Sequence, residues 1–316
     1  MKKDNIAKIY FKDNYRFADL FNFYIYKGEK RIKPENLKNL DSSLNIVLDK
    51  LGSIGHLSRQ RDLYKECIIN TDGNANYVLL GIENQSIIDY SMPIRCMLYD
   101  AISLMSMALE IEKKNRNDKI VVGDDYVSGF LPTDRIKPVI TLVIYLGNKP
   151  WNGPKTIHQL TGDYDKEIIK LSPNYKMKLI EPRYLSKTSL KMFETEIKYV
   201  FEILKCTQNK KKLYDTVHEN KDYQSLSKET GMMINTISNL KININEQKGA
   251  VNMCKAVDDL YKDGIKKGKK EGLALGKQEE KIENIKTMHK NGATVELISQ
   301  LLSLDINYVK KVLKVA

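Results

Sequence analysis

The sequence predicts an α/β fold in which helices pack on a β-sheet, and three segments carry that prediction. Residues 61–69 (RDLYKECII) and 76–85 (NYVLLGIENQ) are rich in strand formers and flank the turn chemistry Asn70-Thr71-Asp72-Gly73-Asn74, as a hairpin requires. Ser91, a residue type that caps helices, precedes Pro93 and an apolar series at helical spacing. The run PVITLVIYL at 138–146 is β-branched, unbroken by charge and about half the length that crosses a bilayer, so it reads as a buried central strand.

Taken in chain order, residues 15–26 (YRFADLFNFYIY) set Phe17, Leu20, Phe21 and Tyr24 at helical spacing, and Lys27-Gly28 supplies a stop. The following LNIVLDKLGSIGHL at 44–57 fits a helix, a strand or a short piece of each. After the hairpin, the helix from Ser91 onward is expected to lay Ile94, Met97, Leu98, Ala101, Leu104, Met105, Ala108 and Leu109 on the sheet. Gly147-Asn148-Lys149-Pro150-Trp151 then turns the chain out of the central strand.

Beyond Phe193 the pattern is helical, with Lys-, Glu- and Asn-rich stretches and no convincing strand. Gly264, Gly268, Gly272 and Gly276 recur at every fourth position, and each costs a helix roughly 1 kcal/mol relative to alanine. Two readings stand: a stripe that admits a second helix, or a flexible charged linker. The last segment, ATVELISQLLSLDINYVKKVLK, reads as two short amphipathic helices broken around Ser303-Leu304-Asp305. A helical cap or dimer contact is the favoured use, with a small helix-turn-helix as the alternative.

The net charge of +12, from 52 basic and 40 acidic residues, makes nucleic acid the leading partner, because basic surfaces release counterions from phosphate backbones. Codon usage in an AT-rich genome is the competing source of that charge. Cys67, Cys96, Cys206 and Cys254 are scattered without metal-ligand spacing, and read as reduced packing residues. No export signal or membrane span is evident, and the expected location is cytoplasmic.

Glu83 and Gln85 lie two apart in the second hairpin strand and so share a face, and Asp62 lies in the preceding strand. Carboxylates converging there make a hard-oxygen site suited to Mg2+ or Mn2+, which neutralise charge on a scissile phosphate. Glu83 ends the apolar run YVLLGI, where an ionised group is costly unless it is paired or ligates a metal. Lys65, in a regular strand, faces away from Asp62. Arg95 and Tyr99 share a helix face at i and i+4, placed to meet phosphate, to brace Glu83, or simply to pack. Trp151, the single tryptophan, either anchors its loop or stacks on a base. The four histidines form no ligand or triad set.

RFADLFN, RQRDLYKECI, YVLLGIENQ, SMPIRCMLYD, KPVITLVIYLGNKPWNGPKTIHQL and MCKAVDDLYKDGIKKGKKEG, in this order, resemble the recombination-promoting nucleases, also described as transposase-like, of the PD-(D/E)XK superfamily. The resemblance implies a restriction-endonuclease-like core, a mixed sheet flanked by helices, in residues 1–193. It implies Asp62 and Glu83 as metal ligands, with Gln85 where the superfamily has lysine. Asp19 matches an acidic position on the family's first helix, where it would hold a second ion or a water, or else face solvent. Residues 194–258 would form a helical accessory region. Residues 259–316 would form the glycine-striped helix or linker and the terminal hairpin, with homo-oligomer contacts there. The activity implied is a metal-dependent DNA endonuclease; a nuclease-fold DNA-binding protein that has lost catalysis is the alternative.

Overall fold

The computed structural model describes residues 3–40, 62–71, 74–123, 125–238, 240, 246–247 and 249–314. The undecided stretch 44–57 and the turn residues Asp72 and Gly73 lie outside them. The chain divides into two compact units, Met1–Cys254 and Lys255–Ala316.

The first unit opens with helices α1 (Lys3–Phe11) and α2 (Asn14–Tyr26). Asp13 caps α2 by accepting from the Arg16 N–H, and the helix ends where Lys27 and Gly28 both take positive φ. The stop read from Lys27-Gly28 is therefore the αL exit that glycine permits at low cost. Strand β1 (Leu37–Asn39) leads to the hairpin β2 (Leu63–Thr71) and β3 (Asn74–Gln85). Helix α3 (Met92–Asn117) crosses to β4 (Val139–Tyr145), and β5 (Lys178–Ile180) completes the sheet. Strand order is β1-β2-β3-β4-β5, with antiparallel pairing through β3 and parallel pairing from β3 to β5. The sheet is mixed and flanked by helices, and the apolar run at 138–146 is held between two neighbours, as its composition predicts.

Side-chain contacts define the two faces. Odd residues of β2 and even residues of β3 meet α1 and α2: Lys65 donates to the Lys12 carbonyl, and Ser86 donates to Asp4. Odd residues of β3 and β4 meet α3, where Val143 and Tyr145 pack with Met92, Cys96 and Trp151.

Helix α3 exists where the sequence places it, but its buried face is another one. Ile94 and Met105 are each 46% exposed, while Met92, Cys96, Tyr99, Asp100, Ile102 and Ser103 are buried. Polar groups stand on the buried face because each has a partner: Asp100 accepts from Thr141 Oγ1 at 2.5 Å and Tyr175 OH at 2.6 Å, and Ser103 donates to the Tyr99 carbonyl. An apolar stripe read without those partners comes out rotated about the helix axis.

Helices α4 (Ile197–Cys206), α5 (Lys210–Glu219) and α6 (Lys228–Ser238) follow, with two-residue strands at Leu226–Ser227, Glu246–Gln247 and Ala250–Val251 forming a second small sheet. These strands are too short to show a period in the sequence. The region expected as an accessory belongs to the same compact unit as the five-stranded sheet up to Cys254. Its α6 packs on α1, where Tyr10 and Thr230 share a buried hydrogen bond of 3.1 Å.

Helix α7 (Met253–Lys290) runs through the glycine stripe without a break, and in the second unit its end packs with α8 (Val295–Leu302) and α9 (Ile306–Leu313) around Ile285, Ile298 and Val309. The break between α8 and α9 falls at Ser303, in the αL conformation, with Asp305 capping α9. Beyond the helix's own backbone, no atom of a described residue lies within 4 Å of a Cβ built on Gly264, Gly268, Gly272 or Gly276. The stripe is helical, and no described helix of the second unit uses it for close approach.

Candidate active site

Asp62 immediately precedes β2 and, continuing the ladder that pairs Leu63 with Ile82, stands across from Glu83. The Asp62 N–H donates to Glu83 Oε1 at 3.1 Å, so the two predicted acids are neighbours at one end of the hairpin. Their carboxylates have different partners. Glu83 is 1% exposed, and its Oε2 lies 3.2 Å from the guanidinium of Arg95 on α3. Asp62 Oδ2 instead accepts from the Asn84 N–H at 2.8 Å and its Nδ2 at 3.3 Å, on the α1 side of the sheet. The expected convergence of both carboxylates on one face is replaced by a division across β3.

On the α3 side, Arg95 is the centre. It bonds Glu83, Asp89 at 2.8 Å and the Tyr99 hydroxyl at 3.2 Å. Burial alone would lower its pKa, but the bonds to Tyr99 and Asp89 and the Glu83 charge raise it, so the guanidinium stays ionised. Asp89 is held below its usual value, because bonds from Ser91 and Arg95 outweigh its desolvation. Arg95 and Tyr99 thus brace Glu83, as their spacing allows, and Glu83 sits in a neutralised network. Gln85 shares that face one register step further along, opposite Tyr145, half-buried.

On the α1 side, burial pushes the Asp62 carboxyl up and the charge of Asp4 adds to this, while Asn84 and the Lys8 charge work against it. Asp4 Oδ2 accepts from Ser86 Oγ at 3.3 Å. Two buried side-chain oxygens in this cluster, Asp4 Oδ1 and Asn84 Oδ1, have no hydrogen-bond donor among the described residues. Asp4, Lys8 and Asn84 are not legible as site residues in the sequence, although Asn84 stands between Glu83 and Gln85.

The remaining predicted residues stand elsewhere. Asp19 on α2 accepts from the N–H groups of Glu194 and Thr195 and from the Thr195 hydroxyl at 2.6 Å, which fixes the entry to α4. Burial raises its pKa, with the Thr195 bonds opposing. Trp151 is anchored in the core, donating from Nε1 to the Gly153 carbonyl at 2.9 Å and lying edge-on to Tyr145. Lys65 faces α1 and α2, bonded to the Lys12 carbonyl and Asn14, and burial lowers its pKa to about 8. All four cysteines are buried thiols outside any disulfide among the described residues.

An open cleft of about 400 Å3 lies beyond the C-terminal ends of β3 and β4, lined among others by Lys3, Ser86, Tyr90, Tyr145 and Lys149. Crevices at that end of parallel strands are where α/β sheets take ligands. Ser86 connects the cleft to Asp4.

Among the described residues, no three His, Cys, Asp or Glu side chains are grouped to hold a metal ion. Each oxygen of Glu83 accepts at least one hydrogen bond, and Asp62 Oδ2 accepts two, both from Asn84. The Asp62 side fits better, since its orphan oxygens are hard, buried and acceptor-only. No helix among the described residues is long and apolar enough to cross a membrane. No protein-family model, curated protein or solved structure matches this chain.

Proposed function

We propose that this chain is a metal-dependent DNA endonuclease, acting in the cytoplasm with magnesium or manganese and related in role to the recombination-promoting nucleases that its motifs resemble. The observation that carries the reading is the contact of Asp62 with Glu83 across the β2–β3 ladder, beside a lysine-bearing cleft at the end of a mixed sheet. Asp62 would hold the ion. When bound, magnesium would supply Lewis acidity and neutralise charge developing on a scissile phosphate. Glu83 positions Asp62 through its backbone and fixes Arg95; Lys3 and Lys149 on the cleft draw the phosphate backbone by charge. Gln85 can place a water by hydrogen bonding but adds no charge to the transition state.

Two facts favour a second reading, a nuclease-fold DNA-binding protein without catalysis: Arg95 neutralises Glu83, and an amide stands where the superfamily has lysine. Supercoiled plasmid incubated with the purified chain separates the two. Nicked or linear product with magnesium and none with chelator supports the endonuclease. Retention of plasmid on the protein, with no product in either condition, supports the DNA-binding reading.

A further inference from the structure

The strand end that carries Gln85 opens onto the cleft beyond β3 and β4, and the side chains of that cleft are of two kinds. Ser86 follows Gln85 directly, and the Gln85 carbonyl accepts from the Leu146 N–H at 2.7 Å. Tyr145, the register partner of Gln85 on β4, lines the cleft. It is 4% exposed, yet its hydroxyl makes no hydrogen bond among the described residues. A Cβ at Gly147 would collide with that hydroxyl, so glycine is what lets the phenol stand here. Burial pushes the phenol pKa up, with Tyr184 and Glu181 adding to this, and the group remains a protonated donor.

Further donors stand beside it. Asn148 Oδ1 accepts from Arg183 at 2.9 Å, which leaves the Asn148 amide nitrogen to donate elsewhere. Lys149 is exposed and makes no ion pair among the described residues. Lys3 adds charge from the cleft wall, its ammonium bonded to the Ile237 carbonyl at 3.0 Å. The second kind is apolar: Ile87 and Tyr90, between β3 and α3, are 78% and 59% exposed. Asp89, next to Tyr90 in sequence, is already paired with Arg95 and so does not set a free carboxylate against an anion.

Phosphate asks for the donors and a base for the apolar pair. In a duplex both faces of a base are covered by its neighbours, so a ring such as Tyr90 can stack only on a base that has left the stack. The cleft volume of about 400 Å3 falls in the roughly 300–1,000 Å3 range of small-ligand sites, which is the scale of one nucleotide and not of a double helix. We infer that the cleft receives one unpaired nucleotide of a DNA strand, with its base on Tyr90 and Ile87 and its phosphate on Lys149, Asn148 and the Tyr145 hydroxyl. Resting on the endonuclease reading above, this makes DNA with an unpaired base, rather than perfect duplex, the preferred substrate of the site beside Gln85.

Binding of the full chain to two labelled duplexes of equal length, one perfect and one with a single unpaired thymidine at its centre, tests this in chelator, where no cleavage occurs. At one fixed salt concentration the parent should bind the bulged duplex about tenfold more tightly, within what one stacked base contributes. Tyr90→Ala should lose that preference, and Tyr90→Phe, which keeps the ring, should retain it. Tyr164→Ala, which removes a comparably exposed ring outside the cleft lining, should also retain it. Lys149→Ala should lower the salt slope by about one. Equal affinity of the parent for the two duplexes overturns the inference. So does a preference that survives in Tyr90→Ala, or an effect of that variant on self-association alone. A preference without plasmid nicking in magnesium supports the nucleotide cleft and removes the endonuclease reading; nicking without a preference does the reverse.

Discussion

Glu83 and Asp62 are both acids in one motif, yet the structure gives them different fates, and their variants should differ accordingly. Glu83 is buried against Arg95, so Glu83→Ala removes one of the two carboxylates that bond a largely buried guanidinium, which keeps Asp89 and the Tyr99 hydroxyl, at a cost of about 1–3 kcal/mol. Urea unfolding should show that loss for Glu83→Ala and a smaller one for Asp62→Ala, whose carboxylate is half-buried rather than fully buried. Gln85→Ala should slow single-turnover cleavage, and Gln85→Lys should retain it, if placing water is the role of that position; an alanine variant as fast as the parent removes Gln85 from the site. Lys65 carries a pH signature. Its pKa is about 8 when folded and ordinary when unfolded, so the unfolded chain binds more protons between those values. Stability should therefore rise with pH across that window, by up to about 1.4 kcal/mol per unit, and Lys65→Met should remove the slope. At this scale the sequence shows which residue types could do chemistry. It does not show that Asn84 and Arg95 would divide the two acids between opposite faces, because a face is set by the partners that helices bring.

The elements themselves were mostly legible where period and punctuation agree. The α2 stop at Lys27-Gly28, the hairpin strands and the β4 run all follow local chemistry. The buried face of α3 was not, since Asp100 is buried under hydrogen bonds from Thr141 and Tyr175 elsewhere in the fold, and Ser103 is buried with its hydroxyl bonded to the Tyr99 carbonyl of the same helix. Strands β1 and β5, three residues each, leave no readable alternation. In the second unit the apolar positions of α8 and α9 do report its small core. Ile298→Ala there should cost about 2–5 kcal/mol, and Asp305→Ala, which removes the cap of α9, about 1 kcal/mol. Helical content read by circular dichroism during thermal unfolding of the two variants checks both; equal melting of Ile298→Ala and parent would mean that core contributes nothing.

For the whole molecule, the net charge of +12 sets an expectation that does not depend on the site assignment. DNA affinity should fall steeply with salt, by about a thousandfold between roughly 50 and 200 mM if six or more phosphates are contacted. Filter binding across that range measures the slope, and a flat response would remove DNA from the account. Removing the second unit after Cys254 takes away no residue assigned to the site, so it should alter DNA affinity or self-association and leave the cleavage rate at saturating DNA unchanged. The central claim is metal-dependent phosphodiester hydrolysis through Asp62. The most direct measurement is conversion of supercoiled plasmid at saturating protein and magnesium by the parent chain and by Asp62→Ala. The account predicts nicking by the parent, abolished by chelator, and a rate at least about a hundredfold lower for Asp62→Ala. Equal rates for the two proteins, or no nicking by a parent chain that binds the plasmid, would contradict it.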